Sequence, residues 1–384
     1  MKVLAVCYGG GHAQICASVG AELAARGHEV VYLGLTTAFG MLNRMGVPSF
    51  GFRDLVTSHD ADALALGQSL LAQTNEHPDV APGESVAYLG LSMLDLIASL
   101  GESRARDLYA QQGRQCLVPL TALRRAVDRE QPDLILATNS PRAEQAALLV
   151  AQERGIPSVC VVDLLLGFDY PRVVQPGYGS RVCVLTEGVR QTLIAGGRPT
   201  DEVVVTGNPS FDVLASPAVL NRDFGGKKVV LWVSQPEPTN PRFGFDIAMA
   251  LHAQFASHPD WQLVVRPHPN EHFPMDELPS GVQVSTQSDP LPAIIRAADA
   301  VVVVASTVGV QAVLLGKSLC VLDVPASSEP VAYVEMGLGH GAKLDEAGAV
   351  IERILAGDVP TPTGLPEIGQ ASANVADVIE SLVP

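Results

Sequence analysis

The sequence predicts an α/β protein made of two consecutive halves, each built on a parallel sheet. Three observations carry this expectation. Short runs rich in Val, Ile and Leu alternate with longer segments of helical spacing in both halves of the chain, the order that parallel βαβ units require. The chain has 384 residues, more than one hydrophobic core usually serves. Its composition is 47% hydrophobic and 17% charged, with 35 glycines and 28 prolines, which suits strands buried on both faces and excludes a disordered chain.

Taken in order, Val3–Tyr8 reads as the first strand, Gly9-Gly10-Gly11 as a turn, and residues 13–26 as an amphipathic helix that stops at Gly27. Glu29–Leu33 is the next strand and completes a βαβ unit. Residues 52–117 break the alternation: they are mostly helical, interrupted at Pro82-Gly83, and read as an excursion on the first half. Strands then follow at 133–137, 158–162, 181–185 and 202–206, with helices at 142–154 and 187–195. Beyond Gly207-Asn208-Pro209 a less regular stretch ends in Gly225-Gly226, a linker signal. The second series has strands at 228–233, 262–266, 300–304 and 318–322, helices at 245–257, 291–297 and 308–315, and closing helices at 345–355 and 368–382. The domains expected are a first Rossmann-like domain over 1–207 carrying the excursion 52–117, a linker over 208–226, a second Rossmann-like domain over 227–364, and a terminal helical segment over 365–384.

Charge and cysteines exclude several classes. The net charge is −16 and no Lys/Arg cluster is present, so neither nucleic acid nor an anionic membrane surface is an expected partner. A local basic pocket for phosphate is still compatible with that balance. The six cysteines (Cys7, Cys16, Cys116, Cys160, Cys183, Cys320) show no C-x-x-C pair and no metal-ligand spacing, which predicts free thiols in a reducing compartment. The run Met1–Tyr8 is too short for an export signal and leads into Gly9-Gly10-Gly11-His12 rather than a cleavage site. No apolar stretch reaches the roughly 20 residues of a membrane span. The expected location is the cytoplasm.

Four segments at strand ends carry the chemistry. Gly9-Gly10-Gly11-His12 lies between a strand and a helix, where glycines permit close backbone approach and Gly10 and Gly11 present free N–H groups to an anion. It is neither a dinucleotide fingerprint nor a P-loop, because the third glycine and the Gly-Lys-Ser/Thr sequence are missing. His12 is placed as a contact to an activated substrate or as a base, against the plainer reading of a tight turn. Thr138-Asn139-Ser140-Pro141-Arg142-Ala143-Glu144 ends another strand and opens a helix. Ser140 as N-cap with Pro141 at the first helical position explains part of it, which leaves Asn139, Arg142 and Glu144 as candidates for sugar or acceptor contacts. Arg266-Pro267-His268-Pro269-Asn270-Glu271 fixes a histidine between two prolines where the chain leaves the sheet, and Arg266 and His268 both donate to phosphate oxygens in that reading. Ala305-Ser306-Thr307-Val308-Gly309 offers Ser306 and Thr307 hydroxyls and helical N–H groups as a neutral anion cradle, or as a simple cap. Glu329 and Tyr333, past the next strand, include a carboxylate suited to ribose hydroxyls.

Together these residues resemble the GT-B superfamily, which includes nucleotide-sugar glycosyltransferases, the non-hydrolysing UDP-N-acetylglucosamine 2-epimerases, and the glycerophosphotransferases and polysialyltransferases that use CDP or CMP donors. The resemblance rests on Gly9-Gly10-Gly11-His12, on Thr206-Gly207-Asn208-Pro209 with Asp212, on Arg266-Pro267-His268-Pro269, and on Ser306–Gln311 running to Leu315-Gly316-Lys317, in that order along the chain. It spans both halves but not residues 52–117. It implies two facing Rossmann domains with the substrate in the cleft between them, the C-terminal one holding the nucleotide and the N-terminal one the acceptor. It also implies a last helix returning to the first domain, with no metal and no cofactor. The epimerase branch fits less well. Its acidic positions fall at Asn139, which is no acid, near Asp163, which is one, and near Val310, Gln311 and Ala312, which carry none. The first expectation is therefore transfer of a sugar or related group from a nucleotide-activated sugar to a small-molecule or glycan acceptor. His12, Asp163 and Glu84 stand as alternative bases among which the sequence does not choose. An epimerase, or a protein that binds nucleotide-sugars without turnover, is the alternative. A homodimer is left open.

Overall fold

The structure, a computed structural model, describes residues 1–73, 80–326, 331–358, 360 and 364–383. Two compact units divide the chain: Met1–Asp212 with Gly369–Pro384, and Val213–Ile368. In chain order the first unit runs β1 (Lys2–Cys7), α1 (Gly10–Ala25), β2 (Glu29–Gly34), α2 (Thr37–Arg44), β3 (Ser49–Phe50), α3 (Ala61–Leu71), α4 (Pro82–Leu100), α5 (Glu102–Gln112), α6 (Leu120–Glu130), β4 (Leu134–Thr138), α7 (Ala143–Arg154), β5 (Ser158–Val161), α8 (Tyr170–Val173), β6 (Arg181–Val184), α9 (Glu187–Ala195) and β7 (Val203–Val205). The second holds β8 (Lys228–Val233), α10 (Phe243–Gln254), β9 (Trp261–Arg266), β10 (Gln283–Val284), α11 (Leu291–Ala297), β11 (Ala300–Val303), α12 (Val308–Leu314), β12 (Leu319–Leu322), β13 (Gly339–Ala342) and α13 (Ala347–Leu355). The last helix, α14 (Ala371–Glu380), belongs to the first unit.

Both sheets are parallel. The seven-stranded sheet has the order β3-β2-β1-β4-β5-β6-β7 and the six-stranded sheet β10-β9-β8-β11-β12-β13. In the first, Ala5 of β1 pairs with Tyr32 on one side and Leu136 on the other. Strand order therefore reverses direction between β1 and β4, and in the second unit between β8 and β11. The C-terminal ends of strands flanking such a reversal are where open α/β sheets bind ligands.

Alternation along β1 explains why the strand reads as one apolar run. Val3–Cys7 are all fully buried, because both faces of a parallel sheet are covered. Leu4 and Val6 join a core with Tyr88 and Leu89 of α4 and Ala146 and Val150 of α7. Val3, Ala5 and Cys7 join the opposite core, with Ile15 and Val19 of α1 and Val375 and Ile379 of α14. The helical excursion thus lies on one face and the terminal helix on the other.

Helix ends follow local chemistry in several places. Thr186 accepts a hydrogen bond from Val189 N at 3.3 Å and caps α9. Gly155 ends α7 in the left-handed conformation. The sheet gains strands that the sequence reading does not contain: β3, β10 and β13 are short, and β13 (Gly-His-Gly-Ala) has no β-branched residue to mark it. The membrane expectation needs one correction. Among the described residues α4 is long and apolar enough to cross a membrane, and 56% of it is buried inside the protein, packed on α3. Its apolar residues serve the core.

The terminal helix is tied down by polar contacts as well as packing. Asp212, singled out in the sequence, accepts from Ala371 N at 2.9 Å and Ser372 N at 2.8 Å, so its carboxylate caps α14 from another element. Arg26 at the end of α1 donates to Asp377 at 2.6 Å and Glu380 at 2.8 Å. Replacing Asp212 with Ala leaves two helix N–H groups without acceptors, a loss of about 0.5–2 kcal/mol. Amide hydrogen exchange should then speed up in α14 while α9 keeps its protection. Unchanged exchange in α14 would show that packing alone holds the helix.

Candidate active site

In the first unit, the ends of β1 and β4, which flank the reversal, and of the neighbouring β5 carry His12, Asn139, Arg142 and Asp163. Helix α1 begins at Gly10, so Gly10, Gly11 and His12 form its first turn rather than a preceding loop. Gly9 is required by crowding: a Cβ there would lie 2.2 Å from Thr37 Oγ1. Gly10 has φ +53°, a conformation that favours glycine. His12 Nε2 lies 3.9 Å from Asp163 Oδ2, and its Nδ1 is buried with no hydrogen-bond partner. That spacing is too long for a direct hydrogen bond, so Nε2 is left able to accept from a hydroxyl with the Asp163 carboxylate alongside.

Asn139 organises the neighbouring loop. Its Oδ1 accepts from Asp163 N at 3.0 Å, and its Nδ2 donates to Asp169 Oδ2. Asn208, from the end of the β7 segment, donates through Nδ2 to Asp163 O. Asp169 also accepts from Gly167 N at 3.0 Å. The chain from 163 to 169 is thereby held at both ends.

Arg142 corrects the expected helix start. Helix α7 begins at Ala143, and Arg142 occupies its N-cap with φ 76° and ψ −111°, a strained conformation for a side-chain-bearing residue. Ser140 is not the cap; its hydroxyl donates to Pro141 O at 3.4 Å. The strain carries the guanidinium over the Tyr8 ring, 3.7 Å from its centroid, with Nε buried and without a partner. A second strained residue, Thr36 (φ 53°, ψ −118°), is the N-cap of α2 and donates through Oγ1 to Tyr8 O at 3.1 Å.

Burial lowers the His12 pKa from its ordinary value. Asp163 and Asp169 push it up and Arg142 pushes it down, but desolvation prevails. The imidazole is therefore neutral at neutral pH and able to accept a proton. Glu144 is fully buried beside this edge. Desolvation pushes its carboxyl up to about 8, both oxygens being buried without a hydrogen-bond partner, and the Arg142 cation offsets only part of this. Glu84, the third base in the sequence reading, is 2% exposed. It accepts from Phe52 N, and from Arg53 N at 3.2 Å, holding a one-turn helix.

The second unit presents its own strand-end edge. Arg266 Nη1 donates to Ser285 Oγ at 2.9 Å, to Asp289 O at 3.0 Å and to Thr286 O, so one arm of the guanidinium fastens the loop after β10. His268 Nδ1 accepts from Asn270 N at 3.1 Å, which fixes the tautomer carrying its proton on Nε2. The half-buried Glu271 accepts from His268 N at 3.1 Å and Ser234 Oγ at 2.8 Å, joining the His268 loop to β8. Across the reversal, Ala305 N donates to Gln235 Oε1 at 2.9 Å. Thr307 is exposed and Ser306 half-buried; Ser306 Oγ accepts from Val308 N at 3.4 Å. Tyr333, fully buried, donates to Ser306 O at 2.7 Å. Glu329 lies outside the described residues.

Solved structures resemble the chain along its whole length. A UDP-GlcNAc 2-epimerase from Neisseria meningitidis bound to UDP-GlcNAc superposes with a TM-score of 0.60 at 16% identity, covering 99% of this chain and 100% of that one. The UDP-GlcNAc 2-epimerase of Methanocaldococcus jannaschii gives 0.61 at 12% identity, again covering 99% and 100%. CalG4, the calicheamicin glycosyltransferase, gives 0.60 at 16% identity, covering 99% and 97%. The chain has the GT-B fold. No protein-family model matches it and no curated protein matches it by sequence. The GT-B fold fits epimerases and glycosyltransferases alike, so the distinction rests on side chains.

Asn208 and Glu271 stand in motifs that the sequence reading singled out without a role for them; with Asp169 and Tyr8 at the first edge and Ser234 and Gln235 at the second, they brace the two edges. Asp169 had one signal, a lone acid within Leu164–Tyr170. Two outcomes follow for the first edge. In an NMR titration, the His12 ring should have its midpoint below the ordinary 6.5, and Arg142→Gln should raise it, since a repelling cation is lost; a midpoint at or above 6.5 in the parent contradicts this electrostatic picture. For Glu144 the folded state holds the proton more tightly, so its stabilising effect is full below the ordinary 4.5 and lost as pH rises through about 8. Glu144→Gln should therefore gain stability relative to the parent across that window, and a difference in melting temperature that is flat with pH would argue against it.

Proposed function

We propose that this protein transfers a sugar or related group from a nucleotide-activated donor to an acceptor hydroxyl. The observation that carries the reading is the gap between His12 Nε2 and Asp163 Oδ2, 3.9 Å wide. A hydroxyl seated against this gap donates its one proton to Nε2 of the neutral imidazole, and the Asp163 carboxylate beside it stabilises the imidazolium that forms. Arg142, stacked on Tyr8, adds a cation at the same edge.

The donor's diphosphate is assigned to the second unit. His268 Nε2–H, the remaining N–H groups of Arg266, and the Ser306 and Thr307 hydroxyls are the donors for its oxygens, and they stabilise the charge that develops on the leaving phosphate. Support for a UDP-sugar comes from the similar GT-B structure bound to UDP-GlcNAc. Asn139 and Glu144 fit roles in shaping the sugar side of the first unit, Asn139 by holding Asp163 and Asp169 in place. Glu84 is left in its structural place. A cytoplasmic location accords with this reading.

One observation favours a second reading. Asp163 and Asp169 both act on His12 electrostatically, so this edge holds two acids and a base, the kind of set an epimerase needs to move a proton on a sugar carbon. Incubation with UDP-GlcNAc in deuterated water separates the two. Transfer predicts UDP release only when an acceptor is supplied, with no deuterium in the recovered donor. Deuterium at C2 together with the manno isomer would establish epimerisation instead. In either case His268→Ala should weaken UDP binding by about 1.5–3 kcal/mol, as expected for a hydrogen bond to a charged group. Calorimetry on the folded variant checks it, and an unchanged affinity removes His268 from the phosphate site.

A further inference from the structure

The loop leaving β5 is Leu164-Leu165-Leu166-Gly167-Phe168, rooted on Asp163. Phe168 is 81% exposed and is the one aromatic among the large apolar side chains left exposed in the described residues. Leu164, Leu165 and Leu166 are half-buried. Apolar loops are ordinarily held by burying their side chains. This one is held by polar ties at its ends: Asp163 N to Asn139 Oδ1 at 3.0 Å, Gly167 N to Asp169 Oδ1 at 3.0 Å, Asn208 Nδ2 to Asp163 O, and Asn139 Nδ2 to Asp169. Phe168 is thus not needed as an anchor, and it stands next to Asp169, whose charge acts on His12, the partner of Asp163. Exposed apolar surface beside a polar reactive pair marks a binding surface for a ligand of mixed character.

We infer that the acceptor is an apolar, ring-containing alcohol or phenol, laid against Leu164–Phe168 with its hydroxyl at His12 Nε2 and the Asp163 carboxylate alongside. The inference rests on the transferase reading above and names its acceptor class. A polyhydroxylated saccharide in this place would turn hydroxyls toward leucine side chains that offer them no partner. A flat ring covers Phe168 by stacking and loses little water-facing polarity. In the step itself the acceptor oxygen forms a bond to the donor's anomeric carbon, and the bond from that carbon to the phosphate oxygen breaks. The nucleoside diphosphate leaves with the electron pair, and the hydroxyl proton passes to His12 Nε2.

The test measures binding apart from turnover, with 4-methylumbelliferone as the ring-bearing phenol, N-acetylglucosamine as the polar comparison and UDP as the nucleotide. The parent should bind the phenol, seen by saturation-transfer NMR and by titration, and should bind N-acetylglucosamine far more weakly. Phe168→Ser should weaken the phenol about tenfold, the scale of losing one aromatic contact, with UDP affinity unchanged. Phe168→Trp should restore phenol binding. Equal binding of the phenol by the parent and Phe168→Ser overturns the inference, as does preference for the saccharide. Loss of UDP binding in the parent would instead strike the nucleotide-sugar reading, while the phenol measurements stay interpretable.

Discussion

The edge of the first sheet depends on a neutral carboxamide. Asn139 offers one acceptor to the amide of Asp163 and one donor to the carboxylate of Asp169, and no charged side chain of that size does both. An aspartate there would still accept from Asp163 N, but it would set a second carboxylate against Asp169, and one of the two would have to take up a proton. The amide therefore does more than fill a position that is acidic in the epimerase pattern. It permits two aspartates to stay close to a histidine without a third charge among them. Asn208 repeats the device from another strand end, gripping Asp163 by its carbonyl.

The second unit solves a related problem with a charge. Glu271 ties the His268 backbone to Ser234, just past β8, while one arm of Arg266 holds the loop after β10. The imidazole that remains has its proton placed by its neighbours. In both units the groups best suited to meet a ligand sit at the ends of strands that flank the reversal or lie next to those strands, and other polar side chains hold them there. A chain with a net charge of −16 can keep Arg142 and Arg266 available because each is set into local structure rather than spread over the surface.

Much of this was legible in the sequence, and the reason is physical. Strands buried on both faces leave continuous apolar runs, so β1, β4, β5, β8, β9, β11 and β12 announce themselves, and the segments that follow them must lie at the C-terminal edge of a sheet. His12, Asn139, Asp163, His268 and Ser306 were reachable on that ground. Conformations set by tertiary contacts were not. Ser140-Pro141 carries the usual signals of a helix start, yet the helix begins at Ala143 because Arg142 takes a strained turn that only its stacking on Tyr8 makes intelligible. Glu84 looked available beside a proline and a glycine, but α4 turns it inward onto the Phe52 and Arg53 amides. The β13 strand exists because β12 offers it an edge, not because its residues favour extension.

The position of α14 bears on how the protein is made. The first unit is discontinuous: its core on the α1 side includes Val375, Ala376, Val378 and Ile379, and between them and Asp212 the chain completes the whole second unit. During synthesis the second unit has all its strands before the first has its last helix. Until about the final turn emerges, the nascent first unit carries an uncovered apolar strip along α1, with Arg26 lacking its acidic partners. Domains emerging from the ribosome generally fold as units in the order they appear. Here that order is broken, and the first unit must wait, partly assembled, for α14 to arrive.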